Sequence, residues 1–113
     1  MSQPAEPSPR SVVRVSVPGL PAFQLRKGEE GVSVLDPTAV DPPLTEQEVL
    51  DSFRPGSQTV LRPLADIEAK GLQVVPVEGA ETLPDRLRQA HREIRPGPGM
   101  TRLQFKAALR ELE

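Results

Sequence analysis

A mixed α+β domain is the fold class this sequence predicts, on three observations. Val12-Val13-Arg14-Val15-Ser16-Val17 is β-branched and alternating, as a strand is. Thr101 stands three residues before Gln104 at the head of an amphipathic segment, the spacing of a helix start. Fourteen prolines and eight glycines in 113 residues exceed the roughly 12% of ordinary usage, so short elements separated by many turns fit and a coiled coil or long bundle does not. With three Phe and no Trp or Tyr, the core has to be built from Val, Leu and Ile, and at this length it is one core.

Residues 1–10 carry Pro4, Pro7 and Pro9 with only Met1 and Ala5 apolar. They cannot offset their ordering entropy by burial and are expected to form a disordered, dispensable arm before a single domain over 11–113. The first strand starts at Ser11, with Val13, Val15 and Val17 on one face and Val12, Arg14 and Ser16 on the other. Pro18, Gly19 and Pro21 end it, and Phe23-Gln24-Leu25 is expected to extend the sheet briefly. Gly31–Leu35 is a second strand, stopped by Asp36-Pro37.

Thr45 and Glu48 have capping-box spacing, which predicts a helix to about Phe53 with an acidic exposed face. Gln58–Leu61 follows as a strand and Leu64–Lys70 as a short helix, with Gly71 at its left-handed end. In the strand Leu72–Val77, Pro76 marks a strand end or an edge position. Residues 83–95 fit two periods: Leu83, Leu87, Ala90, His91 and Ile94 share a helical face, whereas Ala90, Arg92 and Ile94 alternate as in a strand. In the last helix Met100 and Phe105 have hydrophobic-staple spacing, and Phe105, Ala108, Leu109 and Leu112 form the buried stripe.

Absent cysteines exclude disulfides and thiolate chemistry, and a single histidine excludes a multi-histidine metal site within the chain. No apolar run approaches the roughly 20 residues of a membrane span, and the first residues lack a signal-peptide core. A cytoplasmic chain without metal or membrane partner is the expectation. Charge is uneven: residues 28–83 hold eleven acidic side chains against Arg54, Arg62 and Lys70, while residues 84–113 hold seven basic against four acidic. The basic third suits a phosphate-bearing small molecule or an acidic partner; the chain lacks the strongly basic balance of a DNA binder and the aromatics of a single-stranded nucleic-acid platform.

Three polar residues are candidates for chemistry. His91 is the one side chain with an ordinary pKa near neutrality, and Arg86, Arg88, Arg92 and Arg95 around it in sequence would lower that pKa. Arg14, mid-strand among valines, can turn its planar fork on a phosphate or carboxylate. Ser33 is a hydroxyl between Val32 and Val34. A solvent-face arginine, a strand serine with a local hydrogen bond and a partly exposed histidine are the plain alternatives. Arg95-Pro96-Gly97-Pro98-Gly99 is either an anion-binding nest or a rigid connector; its two prolines supply no amides and favour the connector.

In order along the chain, these segments resemble one family. Glu30-Gly31-Val32-Ser33-Val34-Leu35-Asp36, Val75-Pro76-Val77-Glu78-Gly79 with Leu83-Pro84, and Ala90-His91-Arg92-Glu93-Ile94-Arg95-Pro96 with Met100 are similar to the G-x-S-V-F-D, P-x-G and H-x-x-I-x-P segments of small toxins with an ADP-ribosyltransferase-like fold, best known as type VI secretion effectors. The resemblance runs over roughly residues 12–110 and is interrupted between Asp36 and Gly71. It implies NAD as cofactor, bound in a cleft between two small mixed or antiparallel sheets. Arg14 would meet its phosphate or ribose, Ser33 would organise the nicotinamide pocket and His91 would line the cleft; Ser33 and His91 would be the catalytic pair. Arg14, Ser33 and His91 are therefore expected around one pocket, with Arg14 and His91 on adjacent strands. The resemblance further implies action in bacterial cytoplasm and a cognate immunity protein or antitoxin as partner. Two other functions suit the residues: a non-catalytic binding module (immunity protein, antitoxin or adaptor) using the acidic 41–51 helix, and a metal-independent ribonuclease-type toxin using His91 with nearby arginines.

Overall fold

The computed structural model describes residues 10–78 and 81–113. In chain order it contains β1 (Ser11–Ser16), β2 (Val32–Leu35), a 3-10 turn (Pro37–Ala39), α1 (Glu46–Leu50), β3 (Gln58–Pro63), α2 (Leu64–Ala69), β4 (Gln73–Pro76), α3 (Asp85–Ala90), β5 (His91–Arg95) and α4 (Arg102–Arg110). The strands form one five-stranded sheet in the order β3-β1-β2-β5-β4, every neighbouring pair antiparallel. Two separate small sheets are thus replaced by one, because β2 pairs with β1 on one side and β5 on the other.

Both faces of the sheet are covered. On one, Val12, Val32, Val34 and Ile94 pack with Phe23, Leu25, Ile67, Leu72, Phe105 and Leu109. On the other, Val13 and Leu35 pack with Val40, Leu44, Val49, Leu87 and Ala90. This two-sided burial explains why Val12 and Val13, consecutive and on opposite faces, are 3% and 6% exposed. Val17 extends past the end of β1 and is 52% exposed.

Local signals account for most boundaries. Gly71, at φ 81, ends α2 in the left-handed conformation that favours glycine. β4, with Pro76 at its end, is an edge strand. In α4 both halves of the capping box are made: Gln104 N–H donates to Thr101 Oγ1 at 3.1 Å and Thr101 N–H to Gln104 Oε1 at 2.8 Å. Met100 packs on the same core as Phe105. The two periods in 83–95 are both real and consecutive: the chain is helical to Ala90 and extended from His91.

Three further expectations, all local, differ from what is found. Phe23-Gln24-Leu25 belongs to no strand; the amides of Ala22 and Phe23 donate instead to the Glu113 carboxylate at 2.8 and 2.7 Å, while Phe23 and Leu25 fill the core as loop residues. α1 stops at Leu50, and the chain tightens into i→i+3 bonds, Ser52 N–H to Val49 C=O and Phe53 N–H to Leu50 C=O, both 3.1 Å. The expected arm over 1–10 lies, for residues 1–9, outside the described residues, but Arg10 is part of the fold. Its carbonyl accepts from Leu64 N–H at 2.7 Å and its guanidinium pairs with buried Asp36.

Leu109 is 1% exposed against the sheet. Leu109→Ala is expected to cost about 2–5 kcal/mol in chemical denaturation; a near-neutral result would make α4 peripheral.

Candidate functional site

Register decides which side chains can meet. Directly opposed residues of an antiparallel pair share a face, and Val13 opposes Leu35, Leu35 opposes His91, and Ser33 opposes Glu93. Val13, Ser33, Leu35, His91 and Glu93 therefore project from one face of the sheet. A cavity of about 390 Å³ opens there, lined by Ser33, His91 and Glu93 from the strands and by Phe53, Glu78, Thr82 and Leu83 from the chain above. Ser33 and His91 converge as expected, from the neighbouring strands β2 and β5.

Arg14 lines the same cavity but does not offer it an open fork. Its register partner on β3 is Val60, whose side chain joins the core of the opposite face together with Val12. From that side Arg14 Nε donates to the Ala22 carbonyl and Nη1 to the Ser33 carbonyl, both at 2.8 Å. Burial works against its charge and is the largest influence on it, with Glu29 and Glu113 supporting the cation and Arg26 opposing it. Nor are Arg14 and His91 on adjacent strands, because β2 lies between β1 and β5. What Arg14 does in this structure is fix the backbone at Ser33.

His91 is half-buried, and its Nδ1 is buried without a hydrogen-bond partner among the described residues. Its pKa is lowered, and burial is the main cause. Arg92 adds to the lowering, whereas Glu93 and the nearby backbone of Val77 oppose it. Arg86, Arg88 and Arg95, expected to share in this, are paired with Glu48, Asp85 and Glu93 respectively. The imidazole is thus neutral at neutral pH, able to accept or donate a proton. Glu93 accepts from Arg95 Nε at 2.7 Å through one oxygen, Oε1, and Glu78 is exposed at the rim.

Glu93, Glu78, Thr82 and Phe53 are the lining residues that local patterns missed. Glu93 follows His91 by two residues and shares its face once 91–95 is a strand. The others reach the cavity only through long-range packing. Two further candidates resolve structurally. The capping carboxylate of Glu48 receives Arg86 Nε at 2.6 Å rather than a helix-start amide, so part of the acidic α1 face is neutralised within the fold. Arg95–Gly99 docks on the end of α2: a Cβ at Gly97 would collide with the Gly71 carbonyl, which makes this segment a fitted connector. Among the described residues no cluster of three metal-ligating side chains occurs, and no helix is long and apolar enough to cross a membrane. Comparison with protein-family models, curated proteins and solved structures finds no match.

The single histidine gives one set of imidazole resonances. Its NMR titration midpoint is expected below the ordinary value of about 6.5; a midpoint at or above that value would mean the ring is not desolvated. Because the folded pKa is depressed, His91 contributes stability above its unfolded pKa, and this is lost as pH falls through the folded one. Arg14→Lys, with one nitrogen for two carbonyls, is expected to cost about 1–3 kcal/mol and to speed amide exchange around Ser33; unchanged stability and exchange would show that the two bonds hold nothing.

Proposed function

We propose that this chain is a toxin-like enzyme that binds NAD at the Ser33–His91–Glu93 cavity and breaks its nicotinamide–ribose bond, in the manner of ADP-ribosyltransferases. One observation carries the reading: Ser33, a hydroxyl between two valines, and His91, the single histidine, line one cavity from neighbouring strands, with Glu93 directly opposite Ser33. The cavity volume of about 390 Å³ falls in the range of roughly 300–1,000 Å³ usual for small-molecule sites. The residues fit such a ligand. His91 Nδ1 is a buried polar atom without a partner among the described residues, and Ser33 is an exposed hydroxyl on a strand whose backbone Arg14 holds.

NAD, when bound, supplies the glycosidic bond to a cationic nicotinamide as the bond to be broken. The protein's part is positioning and electrostatics. Ser33 offers a hydroxyl to orient the ribose side, and neutral His91 offers a donor or acceptor without adding positive charge. Exposed Glu78 gives the rim the sign that stabilises positive charge developing on a sugar carbon, while Glu93, paired with Arg95, adds an acceptor oxygen opposite Ser33. Arg14 enters as a positioning residue for Ser33. Expression in bacterial cytoplasm should then arrest growth unless a cognate immunity protein is present.

The test is NAD binding by calorimetry and NAD consumption by the purified chain, beside growth on expression. Ser33→Ala and His91→Ala are expected to lose consumption and growth arrest while still unfolding cooperatively on heating. A wild-type chain that neither binds nor consumes NAD overturns the proposal.

A further inference from the structure

Strand β5 alternates its side chains across the sheet, and Arg92 therefore projects away from His91 and Glu93. Its register partners are Val34 on β2 and Pro76 on β4. There it lines a second cavity, of about 280 Å³, with Arg10, Ser11, Val12, Asp36 and Val74 among the other walls. Two guanidiniums and one carboxylate thus face a common space, leaving a surplus of positive charge.

The carboxylate is already committed. Asp36 is 4% exposed and accepts from Thr38 N–H at 3.0 Å, from Thr38 Oγ1 at 2.7 Å and from Arg10 Nη2. Burial pushes its carboxyl up, but the Thr38 and Arg10 hydrogen bonds outweigh that and hold it below its ordinary value. Arg92 is in the opposite position. It is half-buried, and no carboxylate lies within ion-pair distance of it among the described residues. Its Nη1 donates to the Gln89 and His91 carbonyls at 3.0 and 2.8 Å. Those bonds fix the guanidinium plane, while Nε and Nη2 have no acceptor among the described residues. A held guanidinium without a counter-charge among the described residues favours an anion, and an oxyanion accepting from the free Arg92 nitrogens and from the Arg10 nitrogens that Asp36 leaves open would supply that charge. The apolar walls at Val12 and Val74 would strengthen the attraction.

We propose that this cavity binds a tetrahedral oxyanion, as inorganic phosphate or as the phosphate of a small monoester, between Arg92 and Arg10. The site is on the reverse face from Ser33, His91 and Glu93 and does not depend on the NAD reading.

The experiment is a ¹⁵N-edited NMR titration of the full chain with inorganic phosphate, with ribose 5-phosphate, and with chloride at matched ionic strength. Saturable shifts around residues 10–12, Asp36 and Arg92 are expected with phosphate and not with chloride. Arg92→Gln and Arg10→Gln should each weaken binding about tenfold or more, a change of ~1.4 kcal/mol or more. Arg54→Gln, exposed in a loop and absent from this cavity, should leave binding unchanged. Arg92→Lys keeps the charge but loses the fork, and intermediate binding by that variant supports the site even if Arg92→Gln disturbs β5. Tighter binding of ribose 5-phosphate assigns a monoester, and equal binding assigns the free ion. No saturable response to either compound, or a response that survives both the Arg10 and the Arg92 substitution, overturns the proposal.

Discussion

The backbone of Ala22 is gripped from both sides, and the candidate site depends on that grip. Its carbonyl accepts from Arg14 Nε at 2.8 Å, and its N–H, with that of Phe23, donates to Glu113 at 2.8 and 2.7 Å. The same Arg14 reaches the Ser33 carbonyl. β1 and β2 share one register pair, Val13 with Leu35, so the guanidinium holds the strands together beyond the end of their own ladder. Arg62 completes the arrangement. It donates to the Leu112 carbonyl at 2.5 Å and lies 5.4 Å from the Phe23 ring centroid, tying the end of the chain and edge strand β3 to the 17–31 loop. A charged side chain commits its donors to backbone in this way where carbonyls would otherwise be left unpaired, because an unsatisfied buried acceptor costs about 1–3 kcal/mol.

Much of the fold was legible because its signals are local. Thr101 with Gln104, Gly71 after Lys70 and the β-branched run at 11–16 each specify their own geometry within a few residues. The same locality explains the misses. Phe23 and Leu25 alternate as a strand would, but the acceptor for the amides at Ala22 and Phe23 is Glu113, at the far end of the chain. Thr45 and Glu48 have the spacing of a reciprocal cap, but only the hydroxyl half is made, since Arg86 from α3 offers the Glu48 carboxylate a charge-assisted bond. In each case a distant charged group displaced a local partner.

The site divides along the same line. Ser33 stood out as a hydroxyl inside an apolar strand and His91 as the single histidine, and both signals are visible in the sequence itself. Their neighbours did not, because which strands pair is a global outcome. The order β1-β2-β5 puts His91 beside Ser33 and moves it away from Arg14, and nothing within either segment encodes that. Glu93 is the instructive case: two residues from His91, it becomes a site residue only if the segment is extended, and the helical period of Leu83, Leu87 and Ala90 obscures this until the chain changes conformation at His91.

That change of conformation also sets the chemistry of both faces. From His91 onward the side chains alternate, so His91, Glu93 and Arg95 fall on one side and Arg92 and Ile94 on the other. A slip of one residue would exchange the two sets. It would bring Glu93 into the core that Ile94 now fills at 0% exposure and leave a buried carboxylate unpaired. The register is pinned at its start by the Asp36 N–H bond to the Ala90 carbonyl at 2.9 Å and farther along by Gly31, where a Cβ would meet Glu93 Oε1 and the Ile94 carbonyl at 2.8 Å. Five residues of one strand thus separate a histidine-bearing cavity from a cationic one, and the burial of Ile94 is what keeps each on its own face.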